Sequence, residues 1–448
     1  QDSDEYEHLA RRMGYARAAG IGPGRQLYVD FETHSAQVRT FIEHHFGREA
    51  LPGSAGGNVA DVILSDNISG ELRRAILTQA GFTDPERASV NFSSLAGQEK
   101  TKGLFARLAV LAVDILRRGP DPDTALNNWE RFVRSVPDPH THYALILSQP
   151  TRADILLRLF AVSQFLSDTL VQHPEYVDIL TSPEQIHRQY SREDIEQELR
   201  DISRSDQDHD GWLNRLREMR RREILRIGTR DLCLQKPVRE ITRDISLLAE
   251  ASIQIALERI LEELKPEGAA RQRYRSLCGA FCILALGKLG GSELNYSSDI
   301  DLAAVYDEEY LKHEDPEMYR AFYTSVLERL RSDLSAHTEQ GLAYRVDFRL
   351  RPYGASGALI NSVNGFVSYY EKQASLWEIQ ALLKLRPVAG NITVGRRMKD
   401  LLKPVLYREH SPDDVTGSIR RLRREAVESI TAAKEGTDVK NGRGGLRD

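Results

Sequence analysis

The sequence predicts a predominantly helical α+β fold: a helical bundle, then a core with a small mixed sheet, then further helices. Two observations carry this prediction. From about residue 59 to 265, apolar residues recur at spacings of three and four, the period of helices that bury one face. From about 278 to 390, short continuous apolar runs and one alternating run indicate strands.

Length and composition predict a multidomain protein of the cytoplasm. A chain of 448 residues is too long for one core, so two or three domains are expected. Its net charge of −5 gives no drive toward nucleic acid or an anionic membrane. Three cysteines, with no CxxC pair, indicate a reducing compartment. No apolar run is long enough to span a bilayer, so no membrane partner is expected.

The first half is read as helices interrupted by loops. A Gly/Pro/Ser-rich stretch at 51–58 is a plausible hinge, and Asp121-Pro122-Asp123 is a good helix start. His140-Thr141-His142 is interpreted as a solvated loop, and the arginines between Arg217 and Arg226 as a solvated or partner-contacting helix face.

The second half is read as strands and helices of a small α+β core. Apolar runs predict strands at 280–286 and 299–306, and clean alternation predicts a third at 342–350. Helices are predicted at 315–336, 363–385 and 411–434, the last with Ser411 as a candidate cap. The predicted domains are a linker-like helical segment at 1–58, a helical domain at 59–277, a catalytic core at 278–390 and a helical segment at 391–448. Because the chain starts without methionine and stops directly after Gly-Gly-Leu-Arg, we expect it to be a piece of a longer protein.

Two carboxylates follow a glycine-rich turn at a spacing that suggests chemistry on phosphate. Asp299 and Asp301 alternate with apolar residues in a predicted strand, so they share one face. Asp347 is the natural third carboxylate, because it lies on the polar face of the alternating strand. Three such groups predict a site for a pair of divalent metal ions, with catalytic and metal-binding roles for all three.

The residues around these carboxylates are candidates for holding the phosphates of a nucleotide. Backbone N–H groups of the glycine turn could cradle a phosphate, and nearby cations could add charge. A lone Asp-x-Asp or a lone glycine turn is weak evidence for a catalytic site. The evidence is much stronger when an apolar run, a glycine turn, Asp-x-Asp in a strand and an aspartate in an alternating strand follow one another in this order. The candidates are Gly287, Lys288, Gly290, Gly291, Ser292, Ser298, Arg349, Arg351 and Lys384.

These blocks together resemble the glutamine synthetase adenylyltransferase/adenylyl-removing enzyme family, within the polymerase-beta-like nucleotidyltransferase superfamily. The resemblance rests on 287–302, on Tyr344-Arg345-Val346-Asp347-Phe348-Arg349-Leu350-Arg351-Pro352 and on Lys384-Leu385-Arg386-Pro387. It extends over most of 150–448, and 438–448 looks like the opening of the family's conserved tail. It implies that 278–390 is a nucleotidyltransferase core.

The resemblance also implies an activity in nitrogen metabolism. The family moves AMP onto or off a tyrosine of glutamine synthetase with Mg²⁺. Addition uses ATP and releases pyrophosphate, and removal uses phosphate and releases ADP. The PII signalling protein and glutamine are the implied regulators. Residue by residue, Asp299 and Asp301 match the family's metal-binding pair and Asp347 its third carboxylate.

Two cues conflict on the direction of transfer, because two-headed members carry one core for removal and one for addition. Asn295, Ser298 and the Tyr344–Asp347 block look more like the removing core. Segments at 9–15 and 34–46 resemble the link between the first core and the second, which favours the adding core. The site residues touch the chemistry, so removal is slightly favoured.

Two alternatives stay open. One is a uridylyltransferase-like modifier of the PII protein, since that family also has a glycine loop and Asp-x-Asp. The other is a catalytically inactive domain that serves as a regulatory scaffold. Three intact carboxylates argue against the scaffold, because unpaired like charges held together cost stability.

Overall fold

A computed structural model of the chain describes residues 2–17, 21–46, 57–205, 208–268 and 270–428. It confirms a predominantly helical α+β fold with a small mixed sheet. Most of the expected hinge at 51–58 and the whole tail at 438–448 lie outside the described residues.

The elements occur in the following order. The helices are α1 Asp2–Arg12, α2 Pro23–Phe46, α3 Val59–Leu64, α4 Gly70–Gln79, α5 Pro85–Ala96, α6 Glu99–Arg118, α7 Pro122–Ser135, α8 Pro139–Ser148, α9 Pro150–Val162, α10 Gln164–Gln172, α11 Val177–Thr181, α12 Pro183–His187, α13 Arg192–Ser205, α14 His209–Leu232, α15 Val238–Glu263, α16 Ala270–Ala280, α17 Gly287–Gly290, α18 Pro316–Ser335, α19 Val363–Lys372, α20 Leu376–Ala381, α21 Ile392–Leu406 and α22 Pro412–Glu428. The strands are β1 Phe281–Ala285, β2 Ile300–Tyr306, β3 His337–Thr338, β4 Gly341–Leu342, β5 Val346–Asp347, β6 Asn361–Ser362 and β7 Arg386–Gly390.

The chain forms two compact units. One comprises 1–189 with 221–241, and the other comprises 190–220 with 242–448. The domain boundaries expected from the sequence stay predictions.

The first unit is helical throughout its described residues, as the apolar spacing predicts. Its core is rich in aromatic side chains, among them Phe105, Trp129 and Tyr143, whose rings contact one another. Asp121 caps α7 by accepting a hydrogen bond from the N–H of Thr124, which confirms the predicted helix start.

Two interpretations of the charged segments are wrong. His142 lies in helix α8 rather than in a loop, and its burial lowers the pKa of the imidazole to about 4. In the first unit, Arg226 is 2% exposed and pairs with the equally buried Glu223. A buried arginine stays charged when neighbouring oxygens accept its N–H groups, and sequence spacing does not reveal those oxygens.

The second unit contains the sheet. Its order is β5-β2-β1-β7, and β6 pairs with the other end of β2. Strands β1 and β2 are antiparallel, while β2 runs parallel to β5. The runs at 280–286 and 299–306 are thus confirmed as strands, and the run at 315–336 as α18. One face of the sheet packs on α19, α20 and α21 through a continuous apolar core that includes Leu284, Val305, Phe366 and Met398.

The third predicted strand is much shorter than its alternating pattern. Only β4 and β5 pair as strands within 342–350. Between them the backbone binds the end of α18 instead, where Tyr344 N–H donates to Leu334 O and Ser335 Oγ donates to Tyr344 O. Tyr344 and Phe348 are buried and Arg345 and Arg349 are exposed, as the two faces predict, while Val346, Asp347 and Leu350 are all half-buried. The pattern therefore predicted the faces but not the length.

The predicted helix at 363–385 is two helices, α19 and α20, followed by a 3-10 turn. The break occurs because Ser375 and Glu378 form a capping box that starts α20. The last helix begins as predicted: Ser411 Oγ accepts hydrogen bonds from the N–H groups of Asp413 and Asp414. Residues of this predicted helix beyond 428 lie outside the described part of the chain.

Helix α15 carries a polar stripe that faces the sheet and the glycine turn. Ser246, Glu250 and Gln254 are spaced by four and so lie on one face of the helix. Ser246 Oγ accepts from Leu294 N–H at 3.0 Å, and Gln254 Oε1 accepts from Gly390 N–H at 3.0 Å. The stripe thus ties the segment after the glycine turn and the end of β7 to one helix.

Candidate functional site

The sheet brings two of the predicted carboxylates side by side. Asp301 on β2 lies directly opposite Asp347 on β5, as a parallel register pair. Ile300 and Leu302 on either side of Asp301 are fully buried, which fixes the strand and directs Asp301 to the opposite face. Asp299 precedes the strand by one residue and is exposed.

The glycine turn packs directly against Asp301. Gly287 has φ +54°, and a Cβ added there would overlap the Asp301 carboxylate. Any other residue at 287 would therefore be strained and would displace the acid. Gly290 makes a second close approach, because a Cβ there would overlap the backbone oxygens of Lys384 and Ala285.

The electrostatics mark Asp301 as the centre of the carboxylate group. Burial raises the pKa of Asp301, and the charges of Asp347 and Asp299 raise it further. The pKa of Asp347 is lowered instead, chiefly because the Arg349 side chain hydrogen bonds to it. Asp301 therefore senses the charges of both other acids, while Asp347 is stabilised in its charged form by Arg349.

The other two carboxylates are held by arginines. Arg345 Nε lies 2.5 Å from Asp299 Oδ1, and Arg349 forms a two-pronged ion pair with Asp347 at 2.6–2.9 Å. In the described parts of the chain, no three histidine, cysteine, aspartate or glutamate side chains are already grouped as metal ligands. Convergence of all three acids on a metal therefore stays a prediction.

The donor chemistry of this group nevertheless fits Mg²⁺. All three residues supply carboxylate oxygens, which are the ligands that Mg²⁺ prefers. Burial raises the pKa of Asp301, and the negative charges of Asp347 and Asp299 raise it further. A divalent cation would supply the missing positive charge, and Asp299 and Asp347 would have to exchange an arginine for it.

The backbone N–H groups of Gly290 and Gly291 were expected to bind a phosphate, but in the structure they bind backbone oxygens of the chain instead. The glycine turn folds into the short helix α17, and its own carbonyls accept these N–H groups. Gly290 N–H donates to Leu286 O at 2.9 Å and Gly291 N–H to Gly287 O at 3.2 Å. For this reason the glycines at 287 and 290 serve close packing, while those two amides are not free for phosphate.

The side chains around the turn are linked in pairs. Lys288 Nζ donates to Ser298 Oγ at 3.2 Å, and Ser298 also contacts Asn295. Lys384 forms an ion pair with Glu293. Ser292 has φ +55°, a left-handed conformation that is uncommon outside glycine. The segments 287–298 and 382–386 thus form one connected wall beside Asp301.

Arg351 is placed differently from Arg349. Its guanidinium donates to the carbonyls of Phe348, Ala355, Gly357 and Ala358 and so closes its own loop. It shapes the segment after the third carboxylate, and its N–H groups are already used. Arg349 is 75% exposed and remains the better candidate for phosphate.

Three ion pairs of the site were not predicted from the sequence. Arg345 pairs with Asp299, Glu293 pairs with Lys384, and Glu250 pairs with Arg386. The alternating pattern places Arg345 on the polar face with Asp347, and Glu293 lies in the block after the glycine turn, but neither pattern shows which charge is the partner. Glu250 left only a weak signal, as an acid among the apolar residues of the predicted helix.

Comparison with known proteins decides the family. Residues 153–401 match the sequence profile of glutamate–ammonia ligase adenylyltransferase. This match covers more than half of the chain. The chain belongs to this family.

Individual relatives agree with the family assignment. The chain is similar to proteins named bifunctional glutamine synthetase adenylyltransferase/adenylyl-removing enzyme. It is 28% identical to that of Thioalkalivibrio sulfidiphilus over 99% of the chain and 46% of the relative. It is 34% identical to that of Hahella chejuensis over 65% of the chain and 31% of the relative, and 32% identical to that of Streptomyces coelicolor over 83% and 35%.

The chain spans less than half the length of these relatives. In the described parts of the chain, no helix has both the length and the apolar character needed to cross a bilayer.

Proposed function

We propose that this chain carries one nucleotidyl-transfer core that controls glutamine synthetase. The reaction is removal of AMP from a tyrosine of glutamine synthetase by phosphorolysis, which gives ADP, or addition of AMP from ATP. The observation that carries the proposal is the register pair of Asp301 and Asp347 beside Gly287, within a chain of this family.

In this proposal Asp299, Asp301 and Asp347 hold Mg²⁺, which would neutralise charge on the phosphate that is transferred. Asp301 is the central ligand because it is the register partner of Asp347 and lies two residues from Asp299. Asp347 stands next to it and would assist removal of a proton from an attacking hydroxyl. Arg349 and Lys384 lie on exposed positions and would contact phosphate oxygens.

Removal of AMP is favoured slightly over addition. The support is the resemblance of Asn295, Ser298 and the Tyr344–Asp347 block to the removing core of the family. Control by the PII protein and by glutamine is part of the proposal, as it rests on the resemblance alone.

The direct test mixes the purified chain with glutamine synthetase in two reactions. One contains adenylylated glutamine synthetase, Mg²⁺ and phosphate, and is read as ADP release. The other contains the unmodified enzyme, Mg²⁺ and labelled ATP, and is read as label on the protein. The proposal expects activity in at least one, with removal the faster.

Variants separate this proposal from its rivals. Asp299→Ala and Asp347→Ala should each abolish the transfer, while Asp400→Asn, an exposed acid paired with Lys403, should not change it. No transfer by the unmodified chain in either reaction would favour the inactive scaffold, and unchanged transfer in both site variants would rule out these carboxylates as the site. Transfer of UMP from UTP to the PII protein, without AMP transfer, would favour the uridylyltransferase.

A further inference from the structure

A buried cluster of charges lies against the backbone of the glycine turn. Glu250 of α15 is 3% exposed and accepts a two-pronged ion pair from Arg386 of β7. Arg192 of α13 adds a second cation, with its Nη1 3.3 Å from Glu250 Oε2. A carboxylate this deeply buried is expected only where paired cations compensate it.

Arg386 also binds the backbone of the glycine turn. Its Nη2 donates to Leu289 O at 3.0 Å and its Nε to Gly290 O at 3.2 Å. These carbonyls end the short helix α17. Since a four-residue helix has little stability of its own, its position depends on such external contacts.

The contact continues to Asp301 through the turn itself. Gly290 is held against the Lys384 carbonyl on one side, and Gly287 touches the Asp301 carboxylate on the other. Glu250 orients Arg386, Arg386 fixes two carbonyls of the turn, and the turn fixes the wall beside Asp301. Glu250 and Arg386 themselves contact none of the three carboxylates in these hydrogen bonds and ion pairs.

We propose that Glu250 and Arg386 are positioning residues that hold the glycine turn at the distance from Asp301 which nucleotidyl transfer requires. The inference rests on the proposed function for its catalytic consequence. Its structural part, that these residues immobilise the turn, does not depend on the proposed function and is tested by hydrogen exchange.

Paired variants distinguish positioning from simple stabilisation. Glu250→Gln leaves Arg386 with an uncompensated charge and should destabilise the fold. The double variant Glu250→Gln/Arg386→Gln removes both charges of this pair and should recover part of that stability, although the carbonyls of Leu289 and Gly290 lose their donor. Positioning predicts that the double variant still has a kcat lower by about tenfold to a hundredfold. Its KM for glutamine synthetase should stay unchanged, because the turn does not contact the protein substrate in this proposal.

A matched control uses another buried pair of the same unit. Asp307 is 3% exposed, pairs with Arg397 and lies at the far end of β2 from Asp301. Asp307→Asn should lower stability as Glu250→Gln does, without the loss in kcat. Arg386→Lys keeps the positive charge but lacks the planar guanidinium that donates several hydrogen bonds at once. Its kcat should therefore stay below that of the unmodified chain.

Hydrogen exchange measures the turn directly and needs no activity. In the double variant, amides of peptides covering 287–293 should exchange at least about tenfold faster than in the unmodified chain, while the rest of the sheet exchanges as before. Recovery of kcat together with stability in the double variant, or unchanged exchange at 287–293, would overturn the proposal. If the unmodified chain shows no transfer at all, the proposed function fails. The exchange result alone then decides whether the clamp, which consists of Glu250, Arg386 and Arg192, immobilises the glycine turn.

Discussion

At the scale of single residues, the site holds carboxylates that repel one another. Asp301 and Asp347 face each other across two strands, and like charges directly opposite one another destabilise a sheet. Burial and both neighbouring acids raise the pKa of Asp301, whereas Arg349 lowers that of Asp347. This is the arrangement expected of a site that binds a cation rather than of one selected for stability.

Asp301→Asn should therefore abolish transfer and stabilise the metal-free fold. Loss of the central charge should lower kcat by about a hundredfold or more. Loss of the repulsion should raise the free energy of unfolding by about 0.2–1 kcal/mol at neutral pH. Denaturant unfolding measures the second effect, and a variant less stable than the unmodified chain would contradict it.

The same variant has a predictable pH dependence. Because the pKa of Asp301 is raised on folding, the folded state keeps this proton to higher pH than the unfolded chain. Ionisation of Asp301 therefore costs stability above its folded pKa and nothing below its unfolded pKa. The extra stability of Asp301→Asn should be present at pH 7 and vanish below about pH 4, in unfolding titrations at both values.

Gly287→Ala tests the close approach of the turn. With φ +54° and no space for a Cβ beside Asp301, alanine should lower the free energy of unfolding by about 1–2 kcal/mol and impair transfer. Gly417→Ala, in the exposed interior of α22 with nothing within 4 Å, should instead raise stability by about 0.5–1 kcal/mol. Equal effects of the two substitutions would contradict the packing described for Gly287.

At the scale of elements, the sequence predicted what periodicity and caps encode. Strands β1 and β2, helix α18 and the Asp121 cap follow from local pattern, since each buries a regular apolar face or satisfies its own end. The carboxylate pairs with Arg345 and Arg349 and the clamp at Glu250 depend on contacts between distant segments. Such contacts cannot be predicted from the spacing of residue types within one segment.

The arginines of α14 show the same limit. Arg217 is 2% exposed, and its guanidinium donates to the carbonyls of Leu213, Asp333, Ala336 and Gly341. It thereby holds the turn between α18 and the β3–β4 hairpin, upstream of Asp347. From the sequence alone Arg217 cannot be distinguished from the other arginines of this helix. Its partners are backbone oxygens, and the order of residue types gives no information about them.

Arg217→Ala should lower the free energy of unfolding by about 2–4 kcal/mol, because it leaves buried carbonyls without donors. Arg217→Lys should recover only part of this loss, since an ammonium lacks the fork of the guanidinium. Arg204→Ala, at an arginine that is 71% exposed, should stay within about 0.5 kcal/mol. Urea unfolding of the three variants checks the order.

At the scale of the whole chain, the site occupies the second compact unit, within 190–220 and 242–448, and every residue of the clamp lies there too. The chain spans less than half of the length of these relatives. What this chain supplies, in our proposal, is a single transfer core with its own positioning machinery.

Metal binding should be visible as stabilisation of the second unit. A ligand that binds only the folded state raises stability by mass action, so Mg²⁺ should raise the melting temperature of the unmodified chain. The variants Asp301→Asn and Asp347→Asn should show a much smaller shift, and Asp400→Asn the full one. Thermal unfolding with and without Mg²⁺ measures this, and equal shifts in all four proteins would place the ion elsewhere.

The most direct test of the central claim is a crystal structure with Mn²⁺ and a non-hydrolysable ATP analogue, read by anomalous scattering. We predict one or two metal peaks that contact Asp299, Asp301 and Asp347, about 4 Å apart if there are two, with Arg349 released from Asp347. Peaks remote from these carboxylates, or an Arg349–Asp347 pair still closed in the nucleotide complex, would contradict the account.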